Sequence, residues 1–128
     1  MKLYFSWQQS HEDWSPNCSS DVLNADGVSP LCCLLTDDGG QNFLDTISWL
    51  DEGADRIKSV KDSASEVADW CRDAWGVELI NGQAKIYSLH DENYCELLDI
   101  NLFEIALLAW KDFIQSIPDA GITKVIKL

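Results

Sequence analysis

Between Lys2 and Arg56 the chain has neither lysine nor arginine. Over its 128 residues it carries 9 basic against 22 acidic side chains, a formal net charge of −13 at pH 7. That shortage of cations argues against nucleic acid and anionic membrane surfaces as partners, because both are held by Lys and Arg that neutralise phosphate. No apolar run approaches the ~20 residues of a membrane-spanning helix. The start, MKLYFSWQQ, offers one lysine and an apolar stretch that stops at Gln8. It is too short for a secretory signal core and no small-residue cleavage site follows, so a cytoplasmic protein is expected. There is no C-x-x-C, no H-E-x-x-H, no EF-hand loop and no G-x-x-x-x-G-K-[ST]. Neither a metal nor a cofactor is therefore expected. The five cysteines, Cys18, Cys32, Cys33, Cys71 and Cys95, are odd in number. A disulfide framework favours an even count and an oxidising compartment, so reduced, mostly buried thiols are expected.

What is present is a core. Hydrophobic residues make up 46% of the chain, enough for one compact domain spanning 1–128. Leu3 to Trp7 reads as a first strand. Residues 8–30 are Ser-, Asn- and Asp-rich and read as a long loop, a kind of segment that often carries function. LCCLLT (31–36), a short apolar run closed by Asp37-Asp38-Gly39-Gly40, reads as a buried strand followed by a turn. Phe43, Ile47 and Leu50 share one face of a helix over about 42–60, with Gly53 ending or interrupting it. VADWCRDAW (67–75) fits strand and helix equally. Asn81-Gly82 between Val77-Leu79 and Ile86-Leu89 is a strong hairpin signal, since both turn residues take positive φ. Asn101, with Glu104 three residues on, looks like a capped helix start. Phe103, Ala106, Leu107, Trp110 and Phe113 make its stripe, and Leu102, Ile105 and Leu108 widen it until most of the helix must be covered. ITKVIKL closes the chain as a strand. The expected fold is α+β: a mostly antiparallel sheet with a central hairpin and helices packed on one face.

Charge distribution points to the partner. Residues 1–55 hold 10 acids against one base, and a surface of that kind steers cationic partners toward it. Glu12, Asp13 and Trp14 in the long loop set two acids beside a large aromatic ring. Asp91, Glu92 and Tyr94, within LHDENYCELLD (89–99), repeat that chemistry. Asp37 and Asp38 add two turn acids. Carboxylates pair with Lys or Arg of a partner, while aromatic rings supply buried area and cation–π contact. These eight residues are the candidate partner contacts, and no catalytic residue is assigned. Two other classes stay open: a small hydrolase using His90 and nearby carboxylates, and an adaptor subunit of a larger assembly.

Residues 73–114 resemble a pattern in small acidic bacterial immunity proteins, which are encoded beside polymorphic or contact-dependent toxins. The shared elements are Trp75-Gly76 at the start of a hairpin, Ile86-Tyr87-Ser88-Leu89, the D-E-x-Y of residues 91–94, and the helix carrying Phe103, Leu107, Trp110 and Phe113. The resemblance implies a cytoplasmic, non-enzymatic inhibitor of one cognate toxin. Many such toxins are basic nucleases, whose active clefts an acidic protein can cover.

Overall fold

The computed structural model describes residues 1–128. It is α+β, and its strands form two antiparallel sheets. The first holds β1 (Lys2–Ser10), β2 (Asp13–Ser20) and β7 (Thr123–Lys127) in the order β2-β1-β7. The second holds β3 (Val67–Cys71), β4 (Trp75–Ile80), β5 (Gln83–Ser88) and β6 (Asp91–Asp99) in sequential order. The helices are α1 (Pro30–Thr36), α2 (Ile47–Lys61) and α3 (Ile100–Ile114), with a 3-10 turn at Phe43–Thr46 leading into α2. α1 touches β2 of the first sheet and β4, β5 and β6 of the second, while α3 touches β1, β5 and β6. α1 and α3 thus lie between two sheets, and α2 packs on α3, β3 and β4, where one sheet covered on one face was expected.

Alternation along β1 buries Leu3, Phe5 and Trp7. Phe5 meets Trp110 of α3 edge-on at 5.1 Å, and Trp7 stacks on Phe113 at 5.0 Å between ring centroids. From the other side, Val77 opposite Ile86, and Leu79 opposite Ala84, close the core. Each such buried side chain contributes about 1.5–3 kcal/mol. The α3 stripe Phe103, Ala106, Leu107, Trp110 and Phe113 is buried as expected, but Ile105 and Leu108 face solvent. The wide stripe therefore overstated how much of α3 is covered. The helix is capped by Asp99, whose carboxylate accepts from the N–H of Asn101 and of Leu102. Asn101 itself lies in the first turn, so the cap stands two residues earlier than expected.

Three segments depart from the sequence reading for identifiable reasons. The presumed loop 8–30 begins as a hairpin, β1 paired with β2 through His11 and Glu12. β2 is an edge strand with much of its length solvated, so its residues are polar and Pro16 is tolerated. LCCLLT is α1, not a strand. Ser29 caps it, accepting from the N–H of Cys32, and Pro30 occupies its first turn. Contact with both sheets explains why the run is apolar all round. Gly53 neither ends nor interrupts α2; it is buried within it.

A Cβ on Gly53 would lie 2.9 Å from Trp70 Cε2 and 3.0 Å from Leu107 Cδ1. Alanine is favoured over glycine in a helix by about 1 kcal/mol. Overpacking against a buried indole costs about 1–3 kcal/mol. Gly53→Ala is therefore expected to lower the urea midpoint; a raised midpoint would mean that α2 does not depend on this close approach.

Candidate partner-binding site

Two turns and a helix end meet through named contacts. Asp37, at the C-cap of α1, accepts from the backbone N–H of Ala74 (2.7 Å) and Trp75 (3.1 Å) through Oδ2. This pins the Asp37–Gly40 loop to the β3–β4 turn. Gly39, with φ +62°, sits against the Asp73 side chain in the same turn. The β5–β6 turn follows, where the Leu89 N–H donates to the Ala74 carbonyl. Trp75 then meets Tyr94 of β6 edge-on at 6.1 Å.

The register of β6 explains how LHDENYCELLD is displayed. Ser88 pairs with Asp91, while its neighbour Tyr87 pairs with Cys95. Glu92, Asn93 and Tyr94 are therefore extra residues in a bulge, which bends the strand and re-aims its side chains. Asp91 stabilises the bulge by accepting from the Asn93 N–H at 3.0 Å. The stretch is thus turn and edge strand. Its inward residue, Glu96, accepts from the Leu31 N–H of α1 at 3.1 Å. Burial pushes the Glu96 carboxyl up, and the Leu31 N–H pulls it back in part.

Beneath this surface lies a cavity of about 170 Å³. Trp14 and Asp38 line it, with Thr36, Gln41, Thr46 and Arg72. Arg72 is 6% exposed, and its Nε, Nη1 and Nη2 have no hydrogen-bond partner in the protein. Its guanidinium stands 5.3 Å from the Trp49 ring and 5.4 Å from the Trp70 ring. Burial pulls its pKa down to about 10, against the opposing fields of Asp37 and Asp38.

Of the eight candidate contacts, Trp14 and Asp38 share the cavity wall. Asp37, Asp91, Glu92 and Tyr94 connect to it through the β3–β4 and β5–β6 turns. Glu12 and Asp13 reach it only along the chain, as the residues just before Trp14 at the hairpin tip. Glu12, Asp13, Asp91 and Glu92 are exposed; Trp14, Asp37, Asp38 and Tyr94 are half-buried. The sequence reading missed Asp73 and Arg72, whose segment was ambiguous between helix and strand. No alternation could flag a buried arginine in a turn.

Charge pairing is uneven over the molecule. The four ion pairs are Arg56–Glu52, Lys61–Glu104, Lys111–Asp51 and Lys124–Asp112. All involve α2, α3 or β7. None includes Glu12, Asp13, Asp37, Asp38, Asp73, Asp91 or Glu92.

No family model, curated protein or solved structure matches the chain. The arrangement itself therefore carries the functional argument. His90 is exposed in the β5–β6 turn, and only its backbone N–H is hydrogen-bonded, to Ser88 Oγ at 3.2 Å. No group of three or more His, Cys, Asp or Glu is placed to hold a metal ion. No helix is long and apolar enough to cross a membrane. The cysteines are free, but Cys71 and Cys95 are exposed on strands of the second sheet, so the thiols are less buried than expected.

Proposed function

We propose that this chain is an immunity-type inhibitor that binds a cationic protein domain, a toxin's nuclease domain, and covers its active cleft. The observation that carries this reading is the segregation of charge. Every ion pair of the fold lies on α2, α3 or β7, while the acids of the β1–β2, β3–β4 and β5–β6 turns and of the α1 end have no cationic side chain paired with them. Carboxylates that stand in for substrate phosphates must be free to meet a partner's Lys and Arg. Trp14, Tyr94 and Trp75 lie among them and offer aromatic anchor area. The resemblance of residues 73–114 to immunity proteins supports the same reading.

The test uses the product of the gene adjacent to this chain's own, which this reading expects to be a basic toxin domain. Co-expression is expected to rescue growth, and purified chain to abolish nuclease activity at equimolar ratio. Association should slow by at least tenfold at about 1 M salt, where the screening length falls to about 3 Å. Undiminished nuclease activity in a saturating excess of the chain would reject the proposal; salt-independent association would reject its electrostatic basis.

A further inference from the structure

Cys18 on β2 and Cys32 on α1 place their Sγ atoms 2.8 Å apart, and both side chains are buried. That is closer than two unbonded sulfurs ordinarily sit, and less than 1 Å beyond the ~2.05 Å of a disulfide bond. Both residues stand on regular structure. Cys18 faces the core opposite Phe5, and Cys32 lies in the first turn of α1 behind its Ser29 cap. A groove of about 420 Å³ is lined by both cysteines, with Leu23, Val28, Ser29 and Cys33. A small oxidant has a path to the pair.

The two thiols are not equivalent. The Cys18 S–H donates to Cys32 Sγ, and with help from the Ser29 hydroxyl this holds the Cys32 thiol below its usual range against the effect of burial. Donation and burial push Cys18 up. Burial also pushes up the neighbouring Cys33. Cys32, which accepts the Cys18 S–H and stands in the first turn of α1, is the attacking sulfur, and Cys18 the one that resolves the product.

We propose that Cys18 and Cys32 form a reversible dithiol site that hydrogen peroxide closes into an intramolecular disulfide, tethering the β1–β2 hairpin to α1. The Cys32 thiolate attacks one peroxide oxygen and the O–O bond breaks. The departing hydroxide takes up the proton that Cys32 had lost, leaving a sulfenic acid and one water. Cys18 sulfur then attacks the sulfenic sulfur and the S–O bond breaks. Hydroxide leaves with the Cys18 proton as a second water. Two thiols have lost two electrons and one peroxide has gained them. A low-molecular-weight thiol reverses the bond by exchange. Closure joins the hairpin that carries Glu12, Asp13 and Trp14 to the helix that ends at Asp37. The proposal does not depend on the identity of any partner.

Reduced, full-length chain is treated with hydrogen peroxide, alkylated after denaturation and analysed by mass spectrometry. Trypsin leaves both cysteines in one peptide, because no basic residue lies between Lys2 and Arg56. A protease cutting at acidic residues separates them at Asp21 and Asp26. The expected result is a monomer lighter by two hydrogens, with a Cys18–Cys32 cross-linked peptide that a thiol reductant removes. Cys18→Ser and Cys32→Ser should each abolish the cross-link, while Cys33→Ser and the Cys71→Ser/Cys95→Ser pair retain it. In Cys18→Ser, a dimedone adduct should appear on Cys32. Five alkylatable thiols after peroxide, or a bond mapped to any other pair, would overturn the proposal.

Discussion

Arg72→Met is expected to stabilise the protein by about 1–2 kcal/mol, read as a higher urea midpoint with an unchanged slope. The guanidinium is 6% exposed and none of its three nitrogens has a protein acceptor. Its pKa falls well below the usual arginine range, to about 10, with burial as the main cause. At 1.36 kcal/mol per unit, the charged form in the fold is disfavoured by about 3 kcal/mol relative to the unfolded chain. Contacts with the Trp49 and Trp70 rings return part of this, at about 0.5–1 kcal/mol each. Methionine keeps an unbranched stem against both indoles and removes the buried charge, and with it the desolvation cost. The pH dependence has a definite sign. Below about pH 10 arginine is charged in both states and the full penalty applies. From about pH 10 up to the ordinary arginine range the unfolded chain holds more protons on this group than the folded one, so the arginine's contribution improves as pH rises. The advantage of Arg72→Met should shrink across that window. A variant less stable than the parent would mean that the guanidinium is held by acceptors worth more than its desolvation.

A buried cation with no protein acceptor, close to Asp37 and Asp38, makes sense beside the surface above it. Asp37 is already committed to two backbone N–H groups, and Asp38 accepts from the Gly40 N–H at 2.8 Å. The fields of Asp37 and Asp38 favour the charged guanidinium and offset part of the cost of burying it.

The elements legible from sequence were those in which one period dominates. β1 alternates because one face meets α3. The Asn81-Gly82 turn announces itself because both residues take positive φ, 54° and 74°. The α3 stripe is visible because its buried face repeats at helical spacing. β2 was hidden because it is a polar edge strand, and its turn places His11 at φ 57° with no glycine or asparagine to signal it. β6 was hidden by the bulge at Glu92–Tyr94, which breaks alternation where the acids are. α1 could have been found, since Ser29 followed by Pro30 is a helix start, but five apolar residues in a row outweighed it. The eight candidate contacts were legible as chemistry, two acids beside an aromatic ring. Their convergence was not, because it depends on Asp37 reaching 37 and 38 residues along the chain to Ala74 and Trp75.

Reversing three acids of the site, Glu12→Lys, Asp13→Lys and Glu92→Lys, is expected to weaken binding to the cationic toxin domain by about 100-fold or more, chiefly through slower association. The choice spares Asp37 and Asp91, whose carboxylates hold backbone N–H groups, so the loop and the bulge should persist. All three replaced residues are exposed and none is in an ion pair, so stability should change by no more than about 0.5 kcal/mol each. Net charge is the competing explanation, and a second triple variant separates the two: Asp55→Lys, Asp62→Lys and Glu66→Lys. These acids are also exposed and unpaired, and they alter the total charge equally. They lie on α2 and the segment leading into β3, where Val67 pairs with Ile80 at the end of the sheet opposite the Arg72–Asp73 turn. Placement predicts a large loss for the first variant and a loss of less than about tenfold for the second. Equal losses would show that affinity follows total charge, and the three turns would then have no claim to be the interface.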